Sequence, residues 1–342
     1  MPCSRTVRVA DLPTPALLVD AQALAHNLDE MAAARPGARL RPHVKAHKCT
    51  TLAREQAARG HENFTCATPN EVVGLARAGL GTDLLLANET IDRSRLRAMA
   101  GCGARVTVAV DSDATVDAAA ASGLREVLID VNVGMPRCGC APGDAARLAG
   151  RARAAGLTVR GVMGDEGHAV LVEHRAQREA ETGGAMALLA TAADAVGGDV
   201  VSAGGTGTFD LNRLATEIQA GSYALMDTAY AKLGLPFTIA LTIVATVIHA
   251  DRDYVVADAG LKAQSMDHGN PTISGAEVWF CSDEHITFAP SAPLRVGDRV
   301  FVQPAHVDPT VAMHERMHVV DEPGVEATVI ENWPVDLRGW DV

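Results

Sequence analysis

A chain of 342 residues, 48% of them hydrophobic, is long enough to bury a large barrel or two sizeable cores, which excludes an intrinsically disordered protein. Its formal charge of -12 and pI near 5.4 argue against nucleic-acid binding, because affinity for a phosphate backbone comes from clustered Lys and Arg. No apolar run reaches the ~18–20 residues of a membrane span, and MPCSRTVRVADLPTP at the start lacks a signal-peptide core, so a cytoplasmic protein with neither nucleic-acid nor membrane partners is expected.

In chain order, the first element is a strand, TPALLVD at 14–20, followed by a helix. From residue 39 to about 225, short apolar or β-branched runs then alternate with Ala-rich segments of helical period, the pattern of repeated βα units. The strand candidates are RLRPHVKA (39–46), NFTCAT (63–68), DLLLAN (83–88), RVTVAVD (105–111), EVLIDVN (126–132), VRGVMGDE (159–166), VVSAGG (200–205) and EIQAGSYAL (217–225), with helices such as PNEVVGLARAGL between them. Eight such units predict a closed (β/α)8 TIM-type barrel in an α/β fold.

Beyond Pro236 the texture changes. TIALTIVATVIHA, YVVADAG, AEVWF, RVFVQPA and MHVVDE read as strands separated by Gly, Pro and Asp turns,. The expected organisation is a barrel over 25–236 and a β domain over 237–342, which the N-terminal segment 1–24 joins. Seven scattered cysteines read as reduced thiols; Cys138 and Cys140 form a CxC with no second pair at zinc spacing, and both read as structural.

A barrel enzyme places its site at the C-terminal ends of the strands. The first strand ends in Arg41-Pro42-His43-Val44-Lys45-Ala46-His47-Lys48, where alternation would put His43, Lys45 and His47 on one face. A desolvated Lys45 near other cations would be an amine nucleophile; a solvated basic loop is the plain alternative. The seventh strand ends in Ser202-Ala203-Gly204-Gly205-Thr206-Gly207-Thr208, whose backbone N–H groups could cradle a phosphate, although a simple Gly-rich turn fits as well. Arg137 follows strand five, Glu166-Gly167-His168 follow strand six, and strand eight offers Gln219, Ser222 and Tyr223; each is compatible with ordinary loop polarity.

In the β region, His306-Val307-Asp308, if extended, would present two ligands on one face to an exchangeable divalent cation such as Mn2+ or Mg2+; a surface HxD without metal is the alternative. His314-Glu315-Arg316-Met317-His318 spells HExxH, but that motif needs a helix. Here it lies among β-type segments, so it reads as fortuitous.

RPHVKAHK at 41–48, SAGGTGTF at 202–209, QAGSYALMD at 219–227 and PAHVDPTV at 304–311, in that order and preceded by TPALLVD, resemble the D-threonine aldolase and D-serine dehydratase family of pyridoxal-phosphate enzymes, whose architecture is alanine racemase-like. The resemblance implies that Lys45 is the Schiff-base lysine, that Ser202, Gly204, Gly205 and Thr206 hold the cofactor phosphate, and that Tyr223 is a further phosphate contact. It implies that Arg137, in GMPRCG, faces the cofactor ring and that His168 acts near the substrate as a base. It makes His306 and Asp308 the metal ligands; dehydratases of the family tend to have His and Cys there, so Asp308 favours the aldolase side. FTCATPNE and GDEGH depart from the commoner family wording.

The implied reaction is metal-assisted, pyridoxal-phosphate-dependent cleavage of a D-3-hydroxy amino acid to glycine and an aldehyde, with Mn2+ placed ahead of Mg2+, in a homodimer. The nearest alternative is a D-serine or 3-hydroxyaspartate dehydratase using the same parts. A non-catalytic pyridoxal-phosphate-binding protein is a more distant one.

Overall fold

The computed structural model describes residues 7–342, which form two compact units. Among the described residues no helix is long and apolar enough to cross a membrane.

The larger unit comprises Met31–Lys45, Leu52–Gly221 and Leu337–Val342. Seven parallel strands run in sequence order, Asn63–Cys66, Asp83–Leu86, Val106–Val110, Glu126–Asp130, Thr158–Gly164, Val200–Ala203 and Glu217–Ile218. Residues 40–43 close the ring: Leu40 bridges Ile218 and His43 bridges Thr65, both in parallel sense. The N–H groups of Arg41 and His43 reach the carbonyls of Ile218 at 2.8 Å and Ala220 at 3.0 Å, while Thr65 N donates to Pro42 O at 2.9 Å. The result is the expected eight-stave barrel.

Strand alternation sorts the side chains. Leu84, Leu86, Val108, Val110, Val127, Ile129 and Val162 point outward and join Val72, Leu75, Leu96, Val116, Leu148 and Leu189 of the helices in one buried core. The residues between them, Leu85, Ala109, Leu128 and Met163, form an apolar layer of their own, as the period of two requires. Helix starts follow the sequence: Thr68 accepts from Glu71 N ahead of Pro69, Asp92 from Ser94 N and Arg95 N, and Ser112 from Thr115 N, each meeting N–H groups that the first helical turn leaves unpaired.

At the N-terminal ends of the strands the filling is ionic. Asp83 accepts from Arg160 Nη1 at 2.9 Å and Nη2 at 2.8 Å, and from Arg41 Nη1 at 3.3 Å; Arg41 also pairs with Glu217 at 2.8 Å. Burial works to raise the pKa of Asp83, but the hydrogen bonds and charges of Arg160 and Arg41 outweigh it and hold the carboxyl below its ordinary value,.

The smaller unit comprises the chain through Glu30, Ala46–Thr51 and Ser222–Asp336. Its nine-stranded sheet has the path Ala276–Cys281, Ile286–Pro290, Val255–Ala257, Leu241–Ala250, Ala16–Asp20, Arg316–Val320, Val329–Pro334. Arg299–Gln303 pairs with both Leu241–Ala250 and Thr272–Ile273. Ala16–Asp20, expected as a strand without a barrel partner, lies antiparallel to Leu241–Ala250 and parallel to Arg316–Val320.

Three local expectations are corrected. The run at 39–46 is not a regular strand: its bridges are flanked by 3-10 turns at Gly37–Arg39 and Val44–Ala46. Pro42 has no N–H to continue a ladder, and the turn removes the alternation that would align His43, Lys45 and His47. The eighth strand ends at Ile218, and Ser222–Ala224 is another 3-10 turn. HVD is not extended: His306 is the N-cap of the helix Val307–Met313, with Asp308 in its first turn.

Candidate functional site

In the barrel unit, Lys45 lies in the 3-10 turn at the C-terminal end of the closing stave, half-buried. Its backbone N–H donates to His43 Nδ1 at 3.4 Å. Among the described residues its ammonium has no hydrogen-bond or ion-pair partner. A half-buried amine without a counter-charge is a poor structural element and a suitable point for carbonyl attachment.

After the Val200–Ala203 strand the chain turns through Gly204 at φ +89°, a backbone conformation that favours glycine,. A Cβ on Gly205 would sit 2.9 Å from Val170 Cγ1, and one on Gly207 would sit 1.7 Å from the Val170 carbonyl oxygen, so at these two positions the loop approaches its neighbour too closely for a side chain. Ser202 does not enter this loop: its hydroxyl is buried and accepts from Gln219 Nε2 at 2.8 Å. Thr206 is buried within the loop.

Glu166 organises the loop. Its carboxylate, fully buried, accepts from Gly204 N at 3.0 Å, Thr208 Oγ1 at 2.9 Å and Asn212 Nδ2 at 3.2 Å. Thr208 Oγ1 in turn accepts from Gly205 N at 3.1 Å. Burial pushes the pKa of Glu166 above the ordinary range despite these donors,. Sequence reasoning passed over Glu166 as loop polarity, because its partners lie 38 to 46 positions away.

The Arg137 guanidinium pairs with Asp165 at 2.6 Å, and Asp165 helps hold its charge although burial opposes it. The His168 ring is exposed and lies over Gly134, where a Cβ would come within 3.0 Å of Cε1. The loops that carry Arg137 and His168 are thereby brought together. Beside them is an acidic set that the sequence reading missed. Ligand atoms of Glu89, Asp111 and Cys138 lie within 4.8 Å of one another. Burial, then the charge of Glu89, pushes Asp130 well above the usual carboxylate range. A hydrogen bond to Glu89, then burial, pushes the Cys138 thiol up to about 11, and burial does the same for Cys140. Cys102, Cys138, Cys140 and Cys281 are free thiols.

In the smaller unit, Asp308 Oδ1 accepts from Ser222 Oγ at 3.0 Å, and His306 Nδ1 lies 2.8 Å from Asp267 Oδ2. The rings of His268 and His306 stack at 3.8 Å with 8° between their planes. Ligand atoms of Asp267, His268 and His306 fall within 4.8 Å of one another. Of the predicted pair, His306 belongs to this cluster and Asp308 does not; imidazole and carboxylate groups are the donors a divalent first-row cation takes. The backbone turn at 306–308 is fixed by Asp227, which accepts from Val307 N at 3.0 Å and Tyr230 N at 2.9 Å and whose pKa burial raises to about 6.

Tyr223, given a phosphate role by the resemblance, is fully buried and packs on Phe237 with ring centroids 5.6 Å apart. The HExxH string has no helical face: His314 caps the end of Val307–Met313 and bonds Ala263 O at 2.8 Å, whereas His318 lies on a strand beside Asn332.

Two family profiles match the chain, "Alanine racemase, N-terminal domain" over residues 19–229 and "Putative serine dehydratase domain" over residues 240–320. A 3-hydroxy-D-aspartate aldolase of Paracoccus denitrificans (strain Pd 1222) is 32% identical, covering 96% of this chain and 93% of its own length. A D-threonine aldolase of an Arthrobacter species is also 32% identical, over 97% and 94%. The crystal structure of D-threonine aldolase from Filomicrobium marinum superposes with a TM-score of 0.91 at 33% identity, covering 98% of both chains.

Proposed function

The chain belongs to the alanine racemase-like, fold-type III family of pyridoxal-phosphate enzymes, and we propose that it is a lyase cleaving D-3-hydroxy amino acids of the D-threonine type to glycine and an aldehyde. Lys45 carries the reading: it is a half-buried amine with no hydrogen-bond or ion-pair partner among the described residues, at the mouth of a barrel of this family,.

When bound, pyridoxal phosphate supplies an electron sink for the carbanion left at Cα and a divalent cation acidifies the substrate 3-hydroxyl. Lys45 provides the attachment amine. The loop Gly204–Thr208, braced by Glu166, offers backbone N–H groups to the phosphate,; Ser202, at the strand end before it, accepts from Gln219. Arg137, its charge balanced by Asp165, is assigned to the cofactor ring, and Tyr223 keeps its assignment to the phosphate. His168, with its ring exposed, is assigned to take the proton from the 3-hydroxyl. His306 and Asp308 hold the cation.

Cleavage is preferred over dehydration because Asp308 stands at the second ligand position. The serine dehydratase profile over 240–320 keeps water elimination as the second reading. The test is to load the full chain with pyridoxal phosphate and Mn2+, add D-threonine, and assay acetaldehyde and 2-oxobutyrate separately. Acetaldehyde supports cleavage, and 2-oxobutyrate alone replaces it with dehydration. A Lys45→Ala variant that loses the visible Schiff-base band and takes no cofactor label on borohydride reduction is the expected signature of a lost covalent link; borohydride-stable labelling of that variant equal to the parent would refute the lysine assignment.

A further inference from the structure

We propose that Asp267 is a positioning residue of the metal centre. It holds His306 through Nδ1, so that Nε2 is the ring atom presented to the cation, while His268 stacks on the same ring and fixes its plane. This inference rests on the reading that His306 and Asp308 hold the metal.

A carboxylate has only acceptors, and a neutral imidazole has one N–H and one bare nitrogen. The 2.8 Å approach of His306 Nδ1 to Asp267 Oδ2 therefore requires the proton on Nδ1, and the lone pair lies on Nε2. A carboxylate–imidazole hydrogen bond is charge-assisted and directional. It holds the ring in one orientation.

Asp267 is itself fixed. Its second oxygen accepts from Ser265 Oγ, and Ser265 is tied to the ligand-bearing turn twice, by an antiparallel bridge to His306 and by its N–H to Thr310 Oγ1 at 3.1 Å. Thr310 Oγ1 completes the circuit by donating to the His306 carbonyl at 2.7 Å. The loop bearing Asp267 and His268 is thus keyed to the N-terminus of the helix Val307–Met313. His268, stacked at 3.8 Å and nearly parallel, blocks rotation of the His306 ring about its Cβ–Cγ bond. Asp308 is oriented separately, by Ser222 Oγ on Oδ1. Each ligand therefore has its own orienting partner, Asp267 for the imidazole and Ser222 for the carboxylate.

The experiment is a Mn2+ titration of the metal-stripped, full-length protein, followed by the electron paramagnetic resonance signal of free Mn2+, which does not depend on turnover. His306→Ala checks the underlying reading and is expected to abolish tight binding. Asp267→Ala is expected to weaken Mn2+ affinity about 10- to 100-fold, Asp267→Asn less so because its amide oxygen still accepts, and Asp267→Glu to recover part of the loss. His268→Phe, which keeps a stacking ring, stays near the parent, and His268→Ala falls several-fold. Parent affinity in Asp267→Ala alongside lost binding in His306→Ala would overturn the positioning role and leave the metal site standing. Loss of binding in Asp267→Asn as complete as in His306→Ala would also overturn it, since Asp267 would then be a ligand. Parent affinity in His306→Ala would instead remove the metal assignment itself. Asp267 is half exposed, with 52% of its side chain in solvent, so its variants are expected to fold, which circular dichroism checks.

Discussion

Glu166 is the most informative residue to change, because one buried carboxylate organises three groups of the phosphate loop. Replacing it with Ala leaves Gly204 N–H, Thr208 Oγ1 and Asn212 Nδ2 without their acceptor in a water-poor interior. Each stranded donor costs about 1–3 kcal/mol, and partial relaxation makes the sum non-additive, so Glu166→Ala is expected to lose ~3–5 kcal/mol. In Glu166→Gln the single carbonyl oxygen satisfies one side of the site and the amide N–H2 faces a donor on the other, for a loss of ~1–3 kcal/mol. Urea unfolding of the full chain measures both, and equilibrium dialysis of pyridoxal phosphate measures the effect on the cradle, which should weaken in the same order.

A pH arm isolates the carboxyl. Its folded pKa is raised, chiefly by burial, so between the unfolded and folded values the native state binds the extra proton and stability falls as pH rises through that window. The Gln variant lacks this slope, and the difference between parent and variant should show it. Equal stability of parent, Gln and Ala forms, or unchanged cofactor affinity in the Ala form, would refute the account of the loop.

Asp83→Asn removes the anion from between Arg41 and Arg160 and is expected to cost ~3–5 kcal/mol. Because the folded pKa of Asp83 is lowered, its contribution is fully present above about pH 4 and is lost as pH falls through the folded value; an acid urea series in which parent and variant lose stability in parallel would contradict this. Gly207→Ala forces a Cβ to within 1.7 Å of the Val170 carbonyl and should destabilise by at least ~1–3 kcal/mol and weaken cofactor binding. Gly183→Ala, inside the helix Arg175–Val196 with nothing within 4 Å of the new Cβ, should instead stabilise by ~0.5–1 kcal/mol; thermal melts of the two variants moving in the same direction would sink the distinction.

What could be read from the sequence was set by short-range pattern. Leu84, Leu85 and Leu86 are equally apolar, yet alternation sends the middle one to a different apolar layer from its neighbours, and repeating that pattern strand by strand predicts the barrel. The turn at Val44–Ala46 was harder, because β-branched Val44 reads as strand. Pro42 was the available signal, since it lacks an N–H and so interrupts the ladder's donors. HVD is ambiguous at a spacing of two, which suits a strand face as well as a helix start. Pro309, directly after Asp308, was the clue to the helix start, because proline is tolerated in a first helical turn.

The site's supporting groups were illegible for a different reason. Glu166 meets donors at 204, 208 and 212, Asp83 meets Arg41 and Arg160, and Asp267 meets His306. Each is a carboxylate whose partners lie tens of residues away, so only the closed barrel or the folded sheet brings them together. A carboxylate in a loop has no local signature that separates solvation from such work. What separates them is burial against a matched donor set: Glu166 and Asp83 are buried and face hydrogen-bond donors, and stranding those donors costs more than the pairing gains. Attachment and ligand residues such as Lys45 and His306 can be found from motif spacing. The carboxylates that hold their surroundings have to be found from the fold, and it is at those positions that substitutions test the proposed chemistry most directly.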